Sequence, residues 1–460
     1  MLTRRAVRSL VAMSLTLAPA PAIFAAKVRH YYIAAEDVTW DYAPSGRDLI
    51  HGRNIPAPWN GQTRYQKTRY IEYTDSSFAV RKAQPDWLGI LGPVIRAEVG
   101  DTVLVEFLNR TQIQHSMHPH GLRYDKDNEG AAYLPYGKGA GVGPGERYTY
   151  RWRADQGSGP AAGSSSSVVW WYHSHVDAER EINAGLLGPI IVTAAGKADA
   201  AGAPTDVDRE FVGLFMIFDE LQGKDSGLFH TVNGYIFGNL PGLMMKQGDR
   251  VRWHLLSMGN EKDLHTPHWH GKTVTYGSRH TDVIELLPGS MASADMIADN
   301  PGTWLFHCHV ADHMESGMMA LYTIYPPRRA CPIRFVAENW ERMSGASQIH
   351  INNISSKPIR HVDIVSGYLM STLELRPLFV QWSADRTLAP GGQQQVEIGS
   401  EMFTGQANLG VAFFPSRVVY QDGSEWKPQQ LGDCFHVYWR NQNHPQLPVL
   451  PPFQFEQKED

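Results

Sequence analysis

The stretch that decides the fold is WLFHCHV, residues 304–310, in which apolar and aromatic residues lead into two histidines that flank a cysteine. Residues i and i+2 of a β-strand point to the same face of that strand. His307 and His309 therefore face one side, and Cys308 faces the other. This run predicts a β-strand that carries metal-binding side chains on both faces.

The same pattern recurs through the chain, and its repetition sets the domain map. The run WWYHSHV at 170–176 resembles the first stretch, and HSMHPHG at 115–121 resembles HTPHWHG at 265–271. Each half also holds a Gly-Asp turn followed by an alternating strand, GDTVLVEFLNR at 100–110 and GDRVRWHLL at 248–256. The offset between the halves is about 150 residues (268 − 118).

This repeat predicts an all-β fold with two similar domains in tandem, at residues 28–196 and 205–326. The segment at 330–460 has no histidine pairs, and strand-like runs such as QIHINNI and QQQVEI predict a further β-sandwich there, of unknown role. Cys331 and Cys434 bracket that segment. Either a disulfide or two buried free thiols fits the sequence.

The N-terminus and the charge balance narrow the class of protein. Arg4 and Arg5 precede an apolar run that ends near Ala25 and Ala26, which is typical of a signal peptide over residues 1–26 and partly resembles a twin-arginine signal. We expect a periplasmic or secreted protein without a membrane span. A formal net charge of −5 leaves no excess of positive charge for binding nucleic acid.

Four His-x-His triplets predict metal binding. A single triplet is weak support, because core packing also produces such pairs. Four triplets in repeat-related positions are hard to explain in any other way, and imidazole suits copper, zinc, iron and nickel. The four pairs are His118 and His120, His173 and His175, His268 and His270, and His307 and His309.

The residues around the fourth triplet narrow the metal to copper. His313 follows Cys308 by five residues, Met318 follows it by ten, and His265 precedes the third triplet. Two histidines, one thiolate and a weak axial thioether make a blue-copper electron-transfer site. Cys308 would then bind one copper while its two neighbouring histidines bind others on the opposite face of the strand.

At these residues the sequence resembles the multicopper oxidases, specifically their two-domain, ceruloplasmin/hephaestin-like and laccase-like branch. The resemblance covers residues 28 to about 326, and the segment from 330 matches no family that we can name. The longer runs that carry it are HYYIAAEDVTWDYAP at 30–44, YHSHVDAEREINAGLLGPI at 172–190, NGYIFGNLPGL at 233–243, MGNEKDLHTPHWHG at 258–271 and HCHVADHMESGM at 307–318.

The resemblance implies two cupredoxin-like Greek-key domains and a division of the ligands among three kinds of copper. It implies one type 1, one type 2 and two type 3 coppers per active unit. Electrons would enter at the type 1 copper, pass through Cys308 to His307 and His309, and reduce dioxygen to water. The implied ligands are His265, Cys308, His313 and Met318 for type 1, His118 and His268 for type 2, and His120, His173, His175, His270, His307 and His309 for type 3.

Because each domain holds half of the trinuclear ligands, the resemblance also implies a head-to-tail ring of chains, and we expect a homotrimer. The first repeat has His115 in the place of His265, but Ser174 stands where Cys308 stands. Without a thiolate there is no blue site. We interpret His115 as structural, and His230 as a surface or satisfied core residue.

The sequence leaves more than one class of reducing substrate open. Asp312 beside His313, and Glu220 in FDE, resemble carboxylates of ceruloplasmin-like ferroxidases, and carboxylates suit Fe(II) or Mn(II). Glu261 and Asp263 could add negative charge. The histidine that accompanies the family's iron carboxylates is not evident after Glu220. Asp312 and Glu220 could equally be solvated residues at strand ends, or could orient ligand histidines.

Other functions remain open at this point. A laccase-like oxidase of phenols and an oxidase of Cu(I) share the same copper ligands. A copper nitrite reductase shares the two-domain trimeric plan but lacks most type 3 histidines. A non-catalytic copper-binding or electron-transfer protein would leave the six type 3 histidines without a use.

Overall fold

The structure is a computed structural model, and the chain folds as two compact units, residues 1–324 and 325–460. Among the described residues, no helix is long and apolar enough to cross a membrane. The predicted signal peptide lies outside the described residues except for its last position, and Glu261 also lies outside them. The structure describes residues 26–221, 227–260, 262–326, 331–336, 348–370, 375–384, 387–397, 408–428, 434 and 436–439.

The first half of the first unit is a sandwich of two sheets. Its strands are β1 Val28–Asp41, β2 Arg47–Asp48, β3 Arg53–Asn54, β4 Arg64–Tyr73, β5 Ile95–Glu98, β6 Thr102–Asn109, β7 His118–Pro119, β8 Arg147–Arg153, β9 Ser167–His173 and β10 Leu187–Thr193. One sheet has the order β4-β1-β6-β8 and the other has the order β5-β10-β9-β7, while β2 and β3 pair as a small hairpin.

The second half repeats this plan, as the internal repeat predicts. Its strands are β11 Arg209–Asp219, β12 Leu228–Val232, β13 Met244–Lys246, β14 Arg250–Ser257, β15 Pro267–Trp269, β16 Val274–Tyr276, β17 Arg279–Thr281, β18 Met291–Ile297, β19 Gly302–Cys308 and β20 Met319–Tyr325. They form sheets with the orders β12-β11-β14-β18-β16-β17 and β13-β20-β19-β15. The parallel pair β1 and β6 has its counterpart in the parallel pair β11 and β14.

Short helices follow the two histidine strands. Helix α1 is Ala178–Ala184, helix α2 is Ala311–Glu315, and 3-10 turns lie at Asp86–Leu88 and Lys126–Asn128. Antiparallel pairing places His118 opposite His173 between β7 and β9, and His268 opposite His307 between β15 and β19. Register therefore brings together histidines that are far apart in the chain.

The two halves share apolar packing. Each has its own core, built around Trp152 in the first half and Trp253 in the second half. A third cluster contains side chains of both halves, such as Trp171 and Ile191 with Leu214 and Met319. Burying apolar surface from both halves in one cluster joins them through the hydrophobic effect.

The second unit also consists of strands. Its sheets have the orders β21-β22-β25 and β24-β23-β26-β27, with β28 pairing to β26, and residues from both sheets share one core. A disulfide joins Cys331 to Cys434, which decides between the two alternatives that the sequence left open. The strands are β21 Ile333–Val336, β22 Gln348–Asn353, β23 Ile359–Met370, β24 Leu375–Ala384, β25 Gln393–Glu397, β26 Asn408–Tyr420, β27 Glu425–Trp426 and β28 His436–Trp439.

Candidate metal centres

The first candidate centre is a buried group of one thiol and two imidazoles. Cys308 ends β19, His313 lies in α2, and His265 precedes β15. The Cys308 Sγ lies 3.8 Å from His265 Nδ1 and 3.7 Å from His313 Nδ1, and the two nitrogens are 3.2 Å apart. Three donor atoms that face one point, with a thiolate among them, fit a copper ion.

The surroundings of Cys308 favour its thiolate. Burial raises the pKa of this thiol, but hydrogen bonds from His265, His313 and the Thr266 N–H outweigh burial and lower it to about 6. Met318 is fully buried beside them. The Cys308 N–H donates to the Met318 carbonyl at 3.1 Å, and the Met318 N–H donates to that of His313 at 3.0 Å. These bonds hold Met318, the predicted axial ligand, close to Cys308 and His313.

Asp263, which the sequence analysis considered only as a source of negative charge, lies behind the ligand His265. Its side chain is fully buried. One carboxylate oxygen lies 3.0 Å from His265 Nε2 and accepts the Ile217 N–H at 2.8 Å, while the other accepts the Asn260 N–H at 2.9 Å. An acceptor at Nε2 leaves the Nδ1 lone pair free for a metal, so Asp263 orients the ligand.

Two further candidate centres are sets of four histidines, one in each half. In the first set His120 Nε2 lies 3.1 Å from His173 Nε2. In the second set His270 Nε2 lies 3.1 Å from His307 Nε2. The rings of His175 and His309 complete the two sets and lie edge-on to those of His118 and His268 respectively. The structure thus brings together all eight of the histidines predicted for the trinuclear cluster, four by four.

Backbone carbonyls fix the rings in both sets in the same way. His118 Nδ1 lies 2.7 Å from the Glu129 carbonyl, and His268 Nδ1 lies 3.0 Å from that of Asp282. His173 Nδ1 contacts the Ser174 carbonyl and His307 Nδ1 contacts the Cys308 carbonyl, each at 2.8 Å. Because a carbonyl can only accept, each Nδ1 donates its hydrogen, and each Nε2 is left as a metal ligand.

The electrostatics of the sets also favour metal binding. Burial lowers the pKa of His120 and of His307 to about 4, and that of His173 to about 3, with neighbouring histidines adding to the effect. Burial likewise lowers the pKa of His118 and of His270. These imidazoles are therefore neutral at neutral pH, which is the protonation state that binds a metal.

Within the described part of the chain, each group of metal-ligating atoms draws on one half only. One group is His118, His120 and His173, a second is His268, His270 and His307, and the third is the Cys308 group. The rings of His270 and His309 are exposed, and those of His118, His120, His175 and His268 are partly exposed. Both sets thus open to the surface.

At the place in the first half that is equivalent to the Cys308 centre, the described residues do not form a group of metal ligands. His115 Nδ1 lies 2.5 Å from a carboxylate oxygen of Glu181, and both residues are buried. The Ser174 N–H donates to the Leu186 carbonyl at 3.1 Å, as the Cys308 N–H does to that of Met318. Ser174, Glu181 and Leu186 therefore stand where the second half has cysteine, histidine and methionine.

Two side chains lie beside His313. Asp312 is exposed in the first turn of α2, next to His313. The ring of His230 lies 5.1 Å from that of His313, and its buried Nδ1 has no hydrogen-bond partner among the described residues. The interpretation of His230 as a surface or satisfied core residue did not include this contact with His313. The signal that sequence reasoning missed is its place, two residues into the strand that follows the Glu220 segment.

Glu220 has different neighbours from those expected of an iron ligand. Its carboxylate pairs with the Lys67 ammonium, and the Tyr42 hydroxyl donates to it at 2.5 Å. Lys67 is almost fully buried, and burial lowers its pKa while Glu220 opposes that shift. The negative charge of Glu220 is therefore already balanced by a buried lysine.

Comparison with known protein families gives matches in both halves of the first unit. Sequence models described as "Multicopper oxidase" match residues 88–197 and 216–328, which carry both histidine sets and the Cys308 group. The domains at residues 88–197 and 216–328 belong to the multicopper oxidase family. Membership of this family implies copper as the metal, and the all-β fold predicted from the sequence is confirmed.

Relatives within the multicopper oxidases are longer than this chain. Hephaestin of Homo sapiens is 37% identical over 347 residues, which are 66% of this chain and 30% of hephaestin. Ferroxidase HEPHL1 of Mus musculus is 36% identical over 340 residues, covering 65% of this chain and 29% of the relative. Ceruloplasmin of Homo sapiens is 36% identical over 350 residues, covering 66% and 33%. The chain thus spans about a third of the length of these relatives.

Among solved structures, the blue copper oxidase from Nitrosomonas europaea matches with a TM-score of 0.47 and 20% identity, over 65% of this chain and 86% of that one.

Proposed function

We propose that this protein oxidises a small reducing substrate one electron at a time and reduces dioxygen to water. The observation that carries the proposal is the position of Cys308, whose thiol belongs to one buried group while its carbonyl holds the ring of His307 in another. Bound copper would supply one-electron transfer at the first group and four-electron reduction of dioxygen at the histidine sets. The protein residues hold the metals and connect the groups through a few covalent bonds.

The proposed ligand roles follow the donor sets. His265, Cys308, His313 and Met318 hold a type 1 copper. His118 and His268 hold a type 2 copper, and a type 3 pair takes the remaining six histidines, so that an active unit holds four coppers. The supporting observation is the matched support of the rings in both halves by backbone carbonyls.

We propose Fe(II) as the preferred substrate. Asp312 offers an exposed carboxylate beside His313. His230, whose ring also lies beside His313, offers an imidazole nitrogen that has no hydrogen-bond partner among the described residues. Oxygen and imidazole ligands suit Fe(II), and one of the relatives is named a ferroxidase. Glu220 is already paired with Lys67, so we assign it no direct contact with the substrate.

The test is oxygen uptake by the copper-loaded chain with Fe(II), Mn(II), Cu(I) and a simple phenol in parallel. Saturable uptake with Fe(II) and little with the phenol is the expected result. Strong uptake with the phenol alone would make the protein a laccase and leave Asp312 without a catalytic role. Nitrite consumption without oxygen uptake would contradict the whole assignment. We do not expect it, because a nitrite reductase or an electron carrier would leave most of the type 3 histidines unused.

The active unit is proposed to be a homotrimer. Each group of ligand atoms comes from one half of the chain, and both histidine sets open to the surface, so a second copy facing the first would complete a trinuclear cluster. A head-to-tail contact of this kind closes into a ring. Sedimentation of the copper-loaded protein should give the mass of three chains. Residues 1–26 are proposed to direct export to the periplasm or the medium.

A further inference from the structure

The loop Tyr133–Tyr136, YLPY, exposes apolar side chains in the first half of the chain. Tyr133 is 52% exposed, Leu134 is 77% exposed and Tyr136 is 64% exposed. Single exposed apolar residues are ordinary on protein surfaces, but several in four consecutive positions form a patch that indicates an interaction. The remaining member of the loop, Pro135, is exposed as well.

This loop is held in place rather than loose. The Lys126 ammonium lies 3.4 Å from the centroid of the Tyr133 ring, and the Tyr133 hydroxyl donates to Glu129 at 2.7 Å. A Cβ at Gly137 would overlap the Lys126 carbonyl, so only glycine lets the loop return so close to the turn before it. A surface that is already ordered loses little conformational entropy when a partner binds to it.

The same loop is directly connected to the first histidine set. The Ala132 N–H donates to the His175 carbonyl at 3.3 Å. The carbonyl of Glu129, which precedes the loop, fixes the ring of His118 at 2.7 Å. The apolar loop and the first histidine set are therefore direct neighbours in the fold.

We propose that the Tyr133–Tyr136 loop is a contact surface for a second copy of this chain, which it seats over the first histidine set. This inference rests on the proposed function, because it needs a partner that carries the complementary ligands. The second half of another copy carries such a set, with exposed rings of His270 and His309. Aromatic and apolar residues are enriched at the buried centres of protein interfaces, which suits this loop.

A second copy explains the patch better than a small substrate does. The substrate-side residues Asp312 and His230 belong to the second half, beside His313, whereas the loop adjoins His118 and His175. A metal cluster shared between chains also requires their relative position to be fixed closely, and a rigid apolar contact next to the ligands provides that.

The test uses the full-length, copper-loaded chain and the variant Leu134→Asp. We expect its trimer to dissociate at a protein concentration at least about tenfold higher than that of the wild type, because a buried contact would then hold an unpaired charge. Blue absorption should remain, since the Cys308 group lies in the second half. Near-ultraviolet absorption and copper content of the histidine sets should fall together with the trimer.

Two matched variants complete the experiment. Val80→Asp changes another apolar residue of the first half, 60% exposed, and should assemble as the wild type does. Leu134→Met keeps an apolar side chain and should restore assembly. A Leu134→Asp variant that assembles with unchanged affinity would overturn the loop proposal alone. A wild-type chain that stays monomeric while its histidine sets are fully loaded would overturn the proposed trimer as well.

Discussion

At the scale of single residues, Cys308 contacts two candidate metal groups, one through its thiol and one through its carbonyl. Its thiol is fully buried between two imidazoles, and its pKa is lowered to about 6. Its sequence neighbours His307 and His309 turn to the opposite face, where they belong to the second histidine set. One residue thus connects two metal groups through its own backbone.

Cys308→Ser should remove the blue absorption and the oxidation of every substrate, because a serine hydroxyl remains protonated and does not replace a thiolate. Visible absorption and oxygen uptake measure the two effects. Ser174→Ala, at the equivalent place in the first half, should leave both unchanged. Full activity in Cys308→Ser would refute the proposed electron route.

Asp263 controls the orientation and the electron density of His265. Asp263→Asn should raise the reduction potential of the blue copper and weaken copper binding by about tenfold or more, because a negative charge behind a ligand is lost. Potentiometry with the blue absorption as readout measures this. Glu285→Gln removes an exposed carboxylate from the same half and should change neither quantity. An unchanged potential and spectrum in Asp263→Asn would make its role purely structural.

Asp312 is the residue that should separate iron from organic substrates. Asp312→Asn should lower kcat/KM for Fe(II) by about tenfold, which is about 1.4 kcal/mol, and that for a phenol by much less. Steady-state oxygen uptake with both substrates gives the two values. Glu315→Gln, an exposed carboxylate in the same helix, is the control. Equal losses for both substrates would remove the iron site.

At the scale of elements, the first and third His-x-His triplets are each followed by a glycine that packs against a tryptophan. Gly271 follows His270 with φ +71°, and its missing Cβ leaves room for the Trp304 ring, 2.7 Å from where that atom would lie. Gly121 has φ +72° and packs in the same way on Trp170. The two halves therefore use one device to end the strand and hold its last histidine.

Gly271→Ala should destabilise the protein by about 2–3 kcal/mol, because alanine combines an unfavourable positive φ with an overlap against Trp304. Gly277→Ala isolates the backbone contribution, because Gly277 has φ +59° and nothing within 4 Å of an added Cβ. It should cost about 1 kcal/mol. Denaturant unfolding compares them, and equal losses would show that the tryptophan contact carries no weight.

At the scale of the whole molecule, the disulfide belongs to the unit that holds none of the proposed copper ligands. It closes a separation of 103 residues around the core of that unit. Cross-linking ends so far apart removes much conformational freedom from the unfolded chain. The stability of the second unit should therefore depend on redox conditions in a way that the copper groups do not.

Cys331→Ser should destabilise residues 325–460 by up to about 4 kcal/mol while the blue absorption is lost at an unchanged temperature. Thermal unfolding followed by circular dichroism and by visible absorption separates the two. Cys434→Ser and the double variant should give the same loss as the single one, since all three lack the same bond. An earlier loss of the blue colour would show that the two units unfold together.

Much of the candidate site could be predicted from the sequence because its geometry is local. The i, i+2 alternation of a strand puts His307 and His309 on one face, and the repeat of that pattern at His173 and His175 predicts a second set. The all-β fold follows from the same alternation and from the Gly-Asp turns. These features depend on neighbours in the chain, so a sequence displays them directly.

What only the tertiary structure decided are contacts between residues far apart in the chain. Glu220 appeared to be an iron carboxylate until Lys67, 153 residues away, was found paired with it. Asp263 was expected only to add negative charge, yet the Ile217 N–H, 46 residues away, helps to hold its carboxylate behind His265. His230 became a candidate substrate ligand only through its contact with the ring of His313, 83 residues further along the chain. Such pairings arise from packing and sheet register, which alternation along one strand does not encode.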